Sequence, residues 1–265
     1  KSLSQHYVGK RLGDIWGYQV DGLFKTDAEA AEYQSRINDK AVNNSVYSCG
    51  VASLAKLKAG DVKFVDRNGD GVINTGDNTV ENPGDRYIIG NSLPRYSYSF
   101  RGDIDWYGFN LSVFFQGIGH CDWMPPKTCS YFWSLYGFPA SSFVPTDFES
   151  KTWTEDRRNA YFPRRRGYTT YSGSALGVNT DRYLQNAAYI RLKNITLGYT
   201  LPIKQNKAVE KVRIYATGEN LWYWSPMKRH SKYIDPEVAT ASSNQSDDCI
   251  YPFSRTVSLG IDITF

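Results

Sequence analysis

The stretch Asp66-Arg67-Asn68-Gly69-Asp70-Gly71-Val72-Ile73-Asn74-Thr75-Gly76-Asp77 holds the side chains best placed by type and spacing to do chemistry. Oxygen-bearing side chains stand at loop positions one, three and five (Asp66, Asn68, Asp70), with glycine at six (Gly71). Position seven offers the backbone carbonyl of Val72 and position twelve the carboxylate of Asp77, which is the calcium-loop pattern. Hard oxygen donors at alternate positions wrap a large cation, and Gly71 permits the sharp turn that brings them together. Asp77 is shorter than the glutamate of the template, and no helix is expected immediately after it. A helix-loop-helix calcium sensor is therefore not expected; bound Ca²⁺ would stiffen a loop, with Val72 and Ile73 anchoring it. The alternative is a tight Asx and glycine turn that needs no metal.

Other chemistry is sparse. His6, His120 and His230 are scattered, there is no Gly-x-Ser-x-Gly elbow, and spacing picks out no carboxylate pair, so an enzyme is not expected. Cys49, Cys121, Cys129 and Cys249 show neither Cys-x-x-Cys spacing nor flanking His pairs, which argues against zinc. Four cysteines allow three pairings, with Cys121 to Cys129 the shortest closure, and buried thiols remain the alternative. The net charge of +4 is mild and mostly dispersed, so nucleic acid is not an indicated partner. Its one cluster, Arg157-Arg158 and Arg164-Arg165-Arg166, could meet lipid phosphates, an acidic partner, or carboxylates of its own loop.

The elements that must carry these residues alternate between two kinds of pattern. In the last twelve residues Val257, Leu259, Ile261, Ile263 and Phe265 are apolar, while Ser258, Gly260, Asp262 and Thr264 are small or polar. That period of two predicts a strand with one apolar and one wet face. Tyr96 to Ile104 and Phe109 to Gln116 repeat it around the short turn Asp105-Trp106-Tyr107-Gly108, with Phe114 the exception. Asn186 to Leu201 changes phase between Leu192 and Ile195, which predicts a bulge. Val212 to Trp224 ends in an aromatic run, Trp222-Tyr223-Trp224, and Lys10 to Phe24 reads as a further strand ending near Gly22. About six strands result. Aromatics reach 15% while mean hydropathy is −0.50, and no run approaches an apolar membrane helix. A β-barrel wall reconciles the two, since alternate residues face water and Tyr and Trp collect at the interfaces.

Three long connections, at about 25–93, 119–185 and 225–252, separate the strands. The first opens with Thr26-Asp27-Ala28-Glu29, a capping-box pattern that predicts a helix to about Ile37. The second carries Trp123, Trp133, Tyr136, Phe143 and Trp153, which either pack the loop on itself or stack on a ligand. Long loops alternate with the short turns at Trp106-Tyr107 and Lys204 to Lys207. If the last strand runs inward, both turns fall on the periplasmic side and every long loop falls outside, as in outer-membrane barrels. A secreted, calcium-stabilised β-sandwich that binds carbohydrate through its Trp-rich loops is the alternative; it accounts for the aromatics and not for this parity.

Several segments resemble the C-terminal portion of SusC-like (RagA-like) TonB-dependent outer-membrane transporters of Bacteroidetes. They are Trp16 to Phe24, Gly60 to Gly71, Asp85 to Tyr96, Tyr189 to Tyr199, Arg213 to Leu221 and the closing strand to Phe265, in the order that family uses. The resemblance implies an all-β chain that forms part of a 22-stranded transmembrane barrel with long extracellular loops. It further implies import of nutrient oligomers, glycans or peptides, driven through TonB, with a SusD-like surface lipoprotein as partner and outer-membrane lipid around the wall. The remaining N-terminal barrel and plug would lie elsewhere, since Lys1 reads as the interior of something longer. Arg101, Asp103, Gln116, Arg191, Lys193 and Glu219 are expected to face the lumen.

Overall fold

The computed structural model describes residues 1–47, 56–137, 142–166, 170, 174–203, 209–241 and 252–265. The chain divides into two compact units. The first comprises Lys1–Leu93 and Asp122–Gln185; the second comprises Pro94–Cys121 and the described parts of Asn186–Ser243 and Ile250–Phe265.

The first unit is an irregular assembly of short elements: β1 (Asp14–Tyr18), β2 (Val20–Leu23), α1 (Asp27–Arg36), α2 (Lys40–Tyr47), β3 (Val62–Phe64), β4 (Arg86–Asn91), the two-residue β7 (Asp122–Trp123), α3 (Ser130–Trp133) and α4 (Phe148–Lys151). The expected first wall strand is divided here. β1 pairs antiparallel with β4, and β2 pairs with β3, so neither joins the wall. The change of partner falls at Gln19, where the amide of Val20 donates to Asp181 Oδ1 at 3.0 Å instead of continuing a ladder. α1 begins as its sequence predicts: the Glu29 amide donates to Thr26 Oγ1 at 3.1 Å. The Glu29 carboxylate reaches back one residue further than the box requires, accepting from the Lys25 amide at 2.8 Å. α1 presses Ala30 and Tyr33 against Phe24, Val46 and Leu57, all buried. This is the ordinary economy of a water-exposed fold, with apolar groups inside.

The second unit inverts that arrangement. β5 (Ser97–Trp106), β6 (Phe109–Ile118), β9 (Tyr189–Thr200, after the short β8 at Gln185–Asn186), β10 (Lys211–Trp224) and β11 (Thr256–Thr264) form one antiparallel sheet in the order β11-β10-β9-β6-β5. Cross-strand partners share a face, so the register assigns every side chain. One face carries Phe100 and Phe115, Ile104 and Leu111, Trp106 and Phe109, Leu197 and Ala216, Ile214 and Ile261, Leu259 and Val257. The other carries Ser99, Arg101, Asp103, Asn110, Ser112, Gln116, Thr196, Arg213, Thr217, Ser258 and Asp262. The apolar face is not buried: Leu259 is 83% exposed, Val257 72% and Phe100 63%. A β-sandwich would bury that face under a second sheet.

The bulge predicted between Leu192 and Ile195 is present and grows across the sheet. Val113, Ile195 and Gly218 share one level, and Phe115, Leu192 and Trp222 share the next. Between the two levels β6 places only Phe114, β9 places Asn194 and Lys193, and β10 places Glu219, Asn220 and Leu221. Asn220 takes φ +52, a left-handed conformation that asparagine tolerates. Each added residue bends its strand and increases the twist, so the loop end of the sheet splays relative to its turn end.

Candidate functional site

Two sites follow from these elements: the polar face of the sheet with the loop laid on it, and the acidic loop of the first unit. On the sheet, Arg101, Asp103, Gln116, Arg191 and Glu219 lie on the polar face as expected. Lys193 is the extra residue of the β9 bulge. Near the turn end, Arg101 Nε pairs with Asp103 at 2.9 Å, and Arg213 bonds Asn110 at 2.6 Å and lies 3.5 Å from Asp262. These groups are wet and paired in mixed sign, which suits a water-filled passage and selects for no single charge. The turn between β5 and β6 places Tyr107 at φ +45 and Gly108 at +85, the primed geometry that matches hairpin twist.

The apolar face carries aromatics at both ends. Tyr96, Tyr98, Trp222 and Trp224 stand at the loop end, and Trp106, Tyr107, Phe109 and Phe265 at the turn end, all exposed. Tyr96 and Trp106 are ten residues apart, roughly 34 Å along a strand and about 26 Å after a tilt of about 40°. That matches the apolar band of an outer-membrane wall between its two aromatic girdles.

At the loop end the polar face is covered. The segment after β10 forms a short 3₁₀ turn, Pro226–Arg229, then α5 (Pro236–Ala241). The Arg191 guanidinium, nearly inaccessible to solvent, grips Asp235 through both carboxylate oxygens at 2.5 and 2.6 Å and pairs with Glu237 at 3.0 Å. Lys193 Nζ meets Glu237 at 2.6 Å. Arg191 is further stacked between the rings of Tyr223, 4.7 Å away, and Phe253, 5.1 Å away. Sequence reading placed Arg191 and Lys193 on this face and missed the two acids that meet them.

In the acidic loop, Asp66 accepts from the amides of Gly69 at 2.7 Å and Gly71 at 2.8 Å. Asn68 Oδ1 accepts from the Asp70 amide at 3.0 Å, and Asp70 Oδ1 from the Val72 amide at 2.7 Å. Gly69 and Gly71 take φ of +77 and +79, which lets the amides converge. Ile73 is fully buried and its amide donates to the Asn38 carbonyl at 2.9 Å, anchoring the loop beyond α1; Val72 is half-buried. Asp77, at position twelve, accepts through Oδ2 from the Asn82 side-chain amide at 2.9 Å.

Asp85 is the residue the loop pattern omits. Fully buried, it accepts from the amides of Arg67 and Asn74, both at 2.9 Å, and so ties the two ends of the loop together. Burial pushes its carboxyl above the ordinary value, the two amides work against that, and the charge of Asp66 adds to the rise. A cation beside Asp66 would relieve that repulsion. Among the described residues no three His, Cys, Asp or Glu side chains gather as a metal cluster, so a cation here would draw also on Asn68 and the Val72 carbonyl. The donor chemistry of Asp66, Asn68 and Asp70 fits a hard cation, each oxygen keeping a lone pair beyond its amide contact.

The aromatics of the second long connection pack on themselves. Trp133, Tyr136, Phe148, Phe162 and Tyr183 are buried together, with Phe162 stacked on Tyr183 at 6.1 Å. Burial pushes the Tyr183 phenol up to about 12. The arginine cluster is likewise engaged internally: Arg165 with Glu149 at 2.7 Å, Arg166 with Asp61 at 2.7 Å, and Arg164 over the Trp153 ring. Cys121 and Cys129 are buried, while Cys49, Cys249 and the Lys204 to Lys207 turn lie outside the described residues.

This geometry defines a segment of barrel wall carrying a folded loop unit. No family model matches the chain. Among characterised proteins it is 27% identical over 216 residues to TonB-dependent receptor P26 of Formosa agariphila, covering 78% of this chain and 20% of that protein. It is 26% identical over 212 residues to the TonB-dependent receptor SusC of Bacteroides thetaiotaomicron, covering 76% and 17%. Among solved structures, the RagAB peptide transporter superposes with a TM-score of 0.56 at 19% identity, over 95% of this chain and 23% of that one. The chain is thus homologous to TonB-dependent receptors, SusC among them, and has the fold of part of the RagAB barrel. It spans about a fifth of the length of the relatives it matches.

Proposed function

We propose that this chain supplies wall and external loops to a TonB-dependent outer-membrane barrel that imports nutrient oligomers, glycans or peptides. The observation that supports this most is the inverted sheet. Its five strands expose a continuous apolar face bounded by aromatics and turn paired polar groups the other way, the arrangement of a wall that meets lipid. In this reading the connections at about 25–93, 119–185 and 225–252 lie outside the cell. Further strands, from the same polypeptide or another chain, would complete the barrel around a plug, since an open sheet edge in hydrocarbon is prohibitively costly. A SusD-like lipoprotein would close the outer mouth, and TonB would act through the plug. The role is non-enzymatic.

Ca²⁺ would bind at Asp66, Asn68, Asp70, the Val72 carbonyl and Asp77. It would supply only fixed positive charge, holding the turn against α1 and against Asp85. Uptake in the source bacterium tests the transport reading. Deleting the gene should abolish uptake of one class of labelled oligosaccharide or oligopeptide, and a protonophore should do the same in the parent strain. Uptake indifferent to both would contradict it.

A further inference from the structure

We infer that the segment from Ser225 to Ala239 is a fixed rim latched to the polar face of the wall, not a lid that swings at the mouth. The inference rests on the barrel reading, because it places this segment at the external end of the lumen.

The latch begins with the bulge. In an unbroken β9, Arg191 and Lys193 would be followed by an apolar-facing residue at 194. The inserted position lets Arg191, Lys193 and Asn194 all serve the polar side while Leu192 and Ile195 keep the apolar one. Two cations therefore stand one above the other at the level where the covering segment crosses. Asp235 and Glu237, one residue apart at the start of α5, meet them both. The acids are themselves fixed: the Glu237 amide donates to Asp235 Oδ1 at 3.0 Å.

Stacking extends the grip along the rim. Lys228 Nζ lies 3.6 Å from the centre of the Tyr223 ring and donates to the Tyr223 carbonyl at 2.8 Å. Tyr223 faces Arg191, Arg191 faces Phe253, and Phe253 faces Lys193 at 4.7 Å. Cation and aromatic thus alternate from the 3₁₀ turn to the approach of β11, joining three chain segments. Met227 and Ile234 are buried beneath the segment, and Ser225 caps its turn by accepting from the Met227 amide at 3.2 Å. The segment is anchored by the buried Met227 and Ile234 and set in one position by its ion pairs, whereas swinging elements come from the weakly held end of the stability range, with few buried apolar contacts.

The test uses the intact transporter in whole cells. Lys228, Arg229 and Lys232 are exposed and offer trypsin sites within the segment. Glu237, the more accessible of the two acids, is altered, so that the buried Arg191–Asp235 pair is left in place for assembly. Cleavage after these residues, followed by mass spectrometry, should be slow in the parent protein and about tenfold or more faster in Glu237→Ala. Glu237→Asp, which keeps the charge facing Arg191 and Lys193, should stay near the parent rate. Heat-modifiable migration in gels reports barrel assembly in each case. Assembled barrels cleaved equally fast in all three proteins would overturn the latch. A parent protein with no heat-modifiable form would instead remove the barrel reading on which it rests.

Discussion

Asp66 and Asp85 divide the work of the acidic loop, one gathering amides within the turn and the other closing its ends. If Ca²⁺ binds, calorimetry of the whole transporter should show a melting transition raised by calcium and lowered by chelator. The stabilisation would be about 2.7 kcal/mol at a hundredfold excess over the dissociation constant. Asp66→Ala should abolish the difference, and an unchanged calcium response in that variant would sink the metal reading. Asp85 gives a pH dependence whose sign follows from its raised carboxyl. In chelator, its contribution is fully present below the ordinary value of 3.8 and is lost as pH rises through the higher folded value. Asp85→Asn removes one acceptor and should cost about 1–3 kcal/mol while flattening that dependence, read by thermal melts across the acid range. The loop itself was legible because its donors lie at fixed local spacings. Asp85 was not, because it acts on Arg67 from eighteen residues away and no periodicity marks it.

Strand-scale structure follows from alternation, so alternation is what to perturb. Leu259 and Ser258 are neighbours on β11 with opposite faces. Leu259→Arg should cost about 2–4 kcal/mol if it falls near the bilayer midplane, and Ser258→Arg should cost little. The yield of heat-modifiable barrel measures both, and equal losses would contradict the assignment of faces. Gly260 sits directly across from Tyr215, and a Cβ there would come within 2.3 Å of the tyrosine ring, so the ring covers the backbone that glycine leaves bare. Gly260→Val should destabilise the β10 to β11 pairing by about 1–3 kcal/mol, seen as a lower unfolding temperature of the assembled barrel. Period two, the hairpin turn at Gly108, the helix cap at Thr26 and the bulge were readable in the residues themselves. The division of β1 from β2 was not, since Trp16 to Leu23 reads as one strand until partners are known. Nor was the growth of the bulge from β6 to β10, which is a property of three strands together.

At the scale of the molecule, one chain holds two folds with opposite relations to solvent. The first unit hides Phe24, Phe64, Trp133 and Tyr183, while the second displays Phe100, Leu259 and Ile261. The contrast was only half legible: the strands announced themselves, but the long connections gave no sign that 1–93 and 122–185 gather into a unit with its own aromatic core. Their aromatics are irregularly spaced, and what joins them is packing between segments far apart in sequence. The most direct test of the account is denaturing electrophoresis of the native assembly, with and without boiling, and mass spectrometry of each band. The account predicts that the polypeptide carrying this chain is extracted only with detergent, migrates compactly until heated, and travels with a surface lipoprotein. A species of this chain that stays monodisperse without detergent, with migration unchanged by heat, would contradict it.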